Sequence, residues 1–205
     1  LILLLLAITS QFHDDAYLYQ IPYINYAKKF KIIFGLVTIN DYVAYGHGFY
    51  DILALLSLPK ISEGSIFSLP VIFLGFFIIF LFENEKKSNF YTKVFFTIII
   101  ITLCLRYYQS KDYGTDLSVL ILIFLIQINL INFLFKKNIN FLIKSILYFS
   151  IGIFFKIYMI FSFFYLLPFF FLTKIKKINL IRNKKILFFI LIMFFLSFGK
   201  NIIHS

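Results

Sequence analysis

An acidic pair follows an apolar run near the start of the chain. His13, Asp14 and Asp15 come shortly after the apolar residues 1–9. Adjacent carboxylates can take a proton from an acceptor hydroxyl, or they can hold a divalent cation. They also suit a structural role, in which Asp14 caps a helix N-terminus and Asp15 complements the helix dipole. Spacing alone leaves these roles open.

A second acidic group lies in the segment Lys111-Asp-Tyr-Gly-Thr-Asp116. Thr115 and Asp116 are typical of a helix start, so capping explains them. In the functional alternative, Asp112 and Asp116 join the Asp14 region on one face of the protein.

Two cations and one histidine complete the set of residues that could take part in binding or catalysis. Arg106 and Lys156 stand at the ends of apolar runs, where they can bind a lipid phosphate or extend toward the headgroups. His47 lies between Gly46 and Gly48 and suits a proton carrier, a metal ligand or an ordinary loop residue. Any metal requirement stays unknown.

The composition excludes a soluble domain. Hydrophobic residues make up 61% of the 205-residue chain, charged residues only 14%, and the mean hydropathy is +0.93. Soluble proteins carry about 25% charged residues. A disordered chain is also excluded, because disorder requires low hydrophobicity and high charge. The single cysteine, Cys104, excludes a disulfide framework and a cysteine-based metal site.

Long apolar runs predict an all-α, polytopic transmembrane bundle that forms one domain. A spanning helix needs about 20 apolar residues, and shorter ones need flanking lysines that extend to the interface. The predicted spans, about seven, are residues 1–9, 66–82, 94–108, 117–135, 139–155, 157–172 and 186–198. Because the chain begins at Leu1 without a methionine and stops at Ser205 without any closing feature, we expect it to be a fragment, from the N-terminal part of a longer protein.

The distribution of charge predicts the orientation of this bundle. Twelve of the 20 lysines and arginines fall in one set of loops, which the positive-inside rule places in the cytoplasm. Seven of the nine acids and all three histidines fall on the other side. The net charge of +11 is therefore an orientation signal, and we expect no nucleic-acid partner. The expected location is the bacterial inner membrane.

Residues 10–64 form the one long polar stretch, which is predicted to be extracytoplasmic. It contains seven tyrosines and two helical pieces, at about 14–30 and 41–58. Pro22 predicts a kink or break in the first piece, and the Gly46-His47-Gly48 segment interrupts the second. Both pieces suit amphipathic helices that lie along the membrane interface.

Polar residues within one predicted span suggest contacts between helices. Gln127, Asn129 and Asn132 lie in the span at 117–135 and are expected to make interhelical hydrogen bonds.

The arrangement resembles the polytopic glycosyltransferases of the GT-C type. The shared features are a first span ending in an acidic pair, a long outer loop with interfacial helices, and many spans joined by short basic inner loops. More narrowly, four segments are similar to uncharacterised bacterial membrane proteins of that shape. These segments are residues 13–24, 31–41, 48–51 and the closing residues 199–205.

The resemblance implies a polyprenyl-phosphate sugar donor and an acceptor at the extracytoplasmic face. Membrane lipid is the other expected partner. The resemblance also implies that Asp14 or Asp15 is the catalytic base. The residues expected to contact substrate are His13, Tyr17, Asp41, His47, Arg106, Asp112, Asp116 and Lys156. Alternative hypotheses are a transporter or lipid flippase, and a non-catalytic membrane protein of envelope biogenesis. Neither the sugar nor the acceptor is given by the sequence.

Overall fold

The computed structural model describes residues 16–29, 48–56, 68–85, 90–105, 115–164, 166, 188, 192 and 195. Within these residues the protein is helical and contains no strand, which confirms the prediction of an all-α fold. The elements are a π-helix Ala16–Gln20, α1 Ile21–Lys29, α2 Gly48–Leu56, α3 Ser68–Glu85, α4 Phe90–Leu105, α5 Asp116–Lys136, α6 Ile139–Phe155 and a 3₁₀-helix Ile157–Ser162.

Among the described helices, α5 has the length and hydropathy needed to cross a membrane. It contains 21 residues, and 61% of an apolar 18-residue stretch of this helix is buried inside the protein. The apolar helices Thr92–Leu103 and Ile139–Phe155 are shorter. The structure is therefore compatible with a membrane protein, and the number of about seven spans stays a prediction.

Helices α5 and α6 form an antiparallel hairpin around a two-residue turn. Lys137 adopts a left-handed conformation with φ of 50°, and its backbone N–H donates to the Phe133 carbonyl at 2.8 Å. The Asn138 side chain then accepts a hydrogen bond from the Asn140 backbone N–H at 3.0 Å. This cap satisfies an N–H that has no partner within α6, so the turn ends one helix and starts the next.

One hydrogen bond between the two helices comes from a residue that the sequence analysis did not select. The Ser145 hydroxyl, on α6, contacts the carbonyl of Ile126 on α5 at 3.3 Å and that of Phe141 on its own helix at 3.1 Å. Asn129, which was expected to bond between helices, instead donates to the Leu125 carbonyl of its own helix at 2.7 Å. The small serine permits the close approach that an interhelical bond requires.

Two apolar cores lie on opposite faces of α5. Val119, Leu122 and Ile126 pack with α1, α2 and α6 in the first core. Leu117, Ile121, Phe124 and Ile128 pack with α3 and α4 in the second. A helix that is apolar on all faces suits a central position, because every face then finds an apolar neighbour.

Helices α3 and α4 present large apolar side chains on their outer faces. The exposed residues are Ile72, Phe76, Ile79 and Phe82 on α3, and Phe90, Val94, Ile98, Ile100, Ile101 and Leu105 on α4. On α4, the hydroxyls of Thr97 and Thr102 donate to carbonyls one turn earlier in the same helix. These faces suit contact with lipid, because their hydroxyls are bonded without water.

The start of α2 packs against the end of α6. Phe49 and Phe155 meet edge to face with ring centroids 5.2 Å apart, and Phe73 at the start of α3 lies 5.8 Å from the same Phe155 ring. We call this the Lys156 end of the bundle: the start of α2, α3 and α5 together with the end of α6. A Cβ atom on Gly48 would lie 2.5 Å from the Phe154 backbone oxygen, so only glycine fits there without a shift.

We predict that Gly48→Ala lowers the stability of the protein by about 1 to 3 kcal/mol, because the new methyl group pushes α2 away from a backbone atom. Gly152→Ala is the matched control. Its Cβ would meet the flexible end of the Met159 side chain, which can move. Thermal unfolding in detergent should show the larger loss for Gly48→Ala. Equal losses would contradict the close packing of α2 on α6.

Candidate functional site

The structure describes three of the predicted site residues: Tyr17, Asp116 and Lys156. The others lie outside the described residues: His13, Asp14, Asp15, Asp41, His47, Arg106 and Asp112. Within the described part of the chain, no group of three or more His, Cys, Asp or Glu side chains is placed to hold a metal ion.

Asp116 and Lys156 meet across the open end of the α5–α6 hairpin. The Lys156 Nζ atom lies 2.6 Å from Asp116 Oδ1, although the residues are 40 positions apart. The Tyr158 hydroxyl donates to the same oxygen at 3.2 Å, and its ring centroid lies 4.6 Å from Nζ. Asp116 is thus bound by Lys156 and Tyr158, which lie where the chain turns back after α6. Thr115, at the N-cap position, makes no capping hydrogen bond through its side chain.

The geometry of Lys156 follows from a break in the helix. Its backbone is extended, with φ of −153° and ψ of 120°, between the last residue of α6 and the first of the 3₁₀-helix. The Lys156 side chain is 21% exposed and that of Asp116 is 52% exposed. Partial burial alone would lower the pKa of Lys156. The hydrogen bond and negative charge of Asp116 outweigh it, so the pKa is raised and Lys156 stays a cation.

A second polar contact at the Lys156 end joins α1 to α2. The Tyr23 hydroxyl donates to Asp51 Oδ1 at 2.8 Å, and the Tyr23 and Tyr50 ring centroids are 5.9 Å apart. Burial, followed by the charge of Asp51 and this hydrogen bond, raises the pKa of Tyr23 far above its usual value of 10.0. Tyr23 is protonated at neutral pH and donates to the Asp51 carboxylate.

The Tyr23–Asp51 contact was not among the predicted site residues. Asp51 closes one of the segments on which the resemblance depends, and it stands in the first turn of α2. That position could have identified Asp51 as a candidate site residue. Nothing in the sequence connects it with Tyr23, which lies 28 residues earlier.

The π-helix starts directly after the acidic pair. Ala16 follows Asp15, and the π-helix runs into α1 just before Pro22. The Tyr17 side chain is exposed, and Gln20 is buried with no hydrogen-bond partner for its Oε1 atom among the described residues. Single π-turns are often found at functional sites. Tyr19 of the π-helix packs against the first apolar core, to which α1, α2 and the end of α6 also contribute.

The Lys156 end therefore combines polar groups with an apolar bundle. Two carboxylates, from Asp51 and Asp116, stand at the ends of apolar helices, together with the Lys156 cation and the phenols of Tyr23 and Tyr158. Such an arrangement can bind a polar headgroup while the helices below it contact the apolar part of the same molecule.

We predict that the two polar contacts differ in their contribution to stability. A double-mutant cycle with Tyr23→Phe and Asp51→Asn should give a coupling of about 1 to 2 kcal/mol, because Tyr23 is buried. The cycle with Lys156→Gln and Asp116→Asn should give less than about 1 kcal/mol, because solvent screens the exposed pair. Thermal unfolding measures both. A stronger coupling for the exposed pair would contradict the geometry.

Comparison with known proteins identifies the family but no activity. No curated protein and no solved structure matches this sequence. One family matches over residues 1–205, which is the whole chain, and its description is "Domain of unknown function (DUF8201)". The chain therefore belongs to the DUF8201 family of domains of unknown function.

Proposed function

We propose that this chain is part of a multi-pass membrane glycosyltransferase, which moves a sugar from a polyprenyl-phosphate donor to an acceptor at the extracytoplasmic face. One observation supports this most directly: α1 and α2 pack onto the Lys156 end. The segment that follows Asp14 and Asp15 is thereby joined, through α2, to the end of α6 that carries the Asp116–Lys156 pair.

In this proposal the Lys156 end faces the extracytoplasmic side of the bacterial inner membrane, and about seven helices span the bilayer. The turn after α5, with Lys136 and Lys137, lies at the other end of the hairpin. Both lysines are exposed, as the positive-inside rule expects of a cytoplasmic turn. Helices α1 and α2 then lie at the membrane interface.

The reaction requires a base and a means of stabilising the leaving phosphate. Asp14 or Asp15 takes the proton from the acceptor hydroxyl, whose oxygen forms a bond with the anomeric carbon of the sugar. The bond from that carbon to the donor phosphate breaks, and its electron pair leaves with the phosphate. Arg106 or Lys156 meets the developing negative charge. Tyr17 offers an exposed ring for the sugar.

The helical interior gives less support to a transporter or flippase. Within the described parts of α5 and α6, the only carboxylate is Asp116, at the first residue of α5. Intramembrane ion pathways usually contain ionisable residues near the middle of the spans. The other charged side chains of these two helices are Lys136, at the last residue of α5, and Lys144, in the second turn of α6, so none lies near the middle of a helix.

We predict that Asp14→Asn combined with Asp15→Asn abolishes sugar transfer by the full protein, because no base remains to deprotonate the acceptor. A loss of about 100-fold or more is expected for general-base catalysis. The matched control is Glu83→Gln with Glu85→Gln, a pair of exposed acids at the other end of α3, which should keep activity. Transfer from a radiolabelled polyprenyl-phosphate sugar measures both. Full activity without the acidic pair would reject the proposal.

A further inference from the structure

An apolar groove opens where the chain folds back after α6. Its volume is about 460 Å³. The Phe149 ring on α6 lies 5.9 Å from the Phe163 ring, which shows how closely the returning chain approaches. The groove is lined by Phe149, Ile160, Phe161, Phe163 and Phe164. None of these lining side chains is polar, so the groove suits the hydrocarbon part of a ligand.

The groove is lined by residues that lie a few positions before and after Lys156 in the chain. Residues three apart lie above one another in a 3₁₀-helix, so Phe161 follows Tyr158 on the same side. The hydroxyl of Tyr158 bonds to Asp116, and its ring lies beside the Lys156 ammonium. Phe149 precedes Lys156 by seven residues, which corresponds to about 10 Å along α6. A polar site and an apolar groove are thus arranged like the head and tail of a lipid.

The charges at the head position indicate which lipid fits. Lys156 and Asp116 form an ion pair, so the site as a whole is close to neutral. A phosphate can accept hydrogen bonds from Lys156, which has three donors. The half-exposed carboxylate of Asp116 repels a second negative charge but attracts an ammonium group. A primary ammonium also donates hydrogen bonds, whereas a quaternary one does not.

We propose that the Lys156 end binds phosphatidylethanolamine as a resident lipid. Its phosphate contacts Lys156, its ammonium contacts Asp116, and one acyl chain occupies the groove beside Phe161 and Phe164. Because this site uses Lys156, it assigns the donor phosphate of the transfer proposed above to Arg106.

Native mass spectrometry of the full protein released from detergent tests the proposal. The probes are phosphatidylethanolamine, phosphatidylglycerol and phosphatidylcholine with identical acyl chains, added at equal concentration. Phosphatidylethanolamine should bind about tenfold more tightly than either, because both headgroup charges then find hydrogen-bonded partners. Equal or tighter binding of phosphatidylglycerol or phosphatidylcholine overturns the proposal.

Variants separate the head contact from the tail contact. Phe161→Ala with Phe164→Ala should remove most of the binding, and Lys156→Gln should remove the preference among headgroups. The controls are Phe76→Ala, an equally exposed phenylalanine on α3, and Lys144→Gln, an exposed lysine on α6. Unchanged binding in the phenylalanine double variant overturns the proposal even if Lys156→Gln fails to fold. Loss of transfer in the Asp14 and Asp15 variant should leave lipid binding intact, so the two proposals fail separately.

Discussion

The close approach of α2 to α6 is the contact on which the arrangement of the Lys156 end depends. Gly48 lies against the Phe154 backbone, and Phe49 then packs on Phe155. The buried hydroxyl of Tyr23 fixes α1 to α2 through Asp51. Helices α1 and α2, which lie in the polar stretch between two apolar runs, thereby become part of the bundle. Without this packing, the segment after the acidic pair would have no defined relation to the ion pair.

The same packing places polar groups where an apolar bundle ends. Helix α5 separates two apolar cores. Its first residue, Asp116, accepts a hydrogen bond from Lys156, directly after the end of α6. Most side chains below this pair are apolar, and the carboxylate of the hairpin stands at a helix end. This division underlies the proposal that one end of the hairpin binds a headgroup while the rest of the bundle contacts hydrocarbon.

The sequence predicts local features better than contacts between distant residues. The all-α fold follows from apolar runs, and a helix begins at Asp116 as predicted, although Thr115 makes no capping hydrogen bond through its side chain. The Tyr23–Asp51 contact could not be predicted, because it depends on how α1 meets α2. Asn129 was assigned the wrong partner, since a carbonyl one turn earlier in its own helix satisfies the amide. The roles of Asp14 and Asp15 stay predictions, because they lie outside the described residues.

The most direct test of the account is the side of the membrane on which each end of the bundle lies. With Cys104→Ser as background, Lys29→Cys on α1 and Lys137→Cys in the turn after α5 each offer one exposed thiol. A membrane-impermeant maleimide applied to intact cells should label position 29 and spare position 137 until the membrane is opened. Labelling of both positions from the same side, or of position 137 alone from outside, would contradict the account.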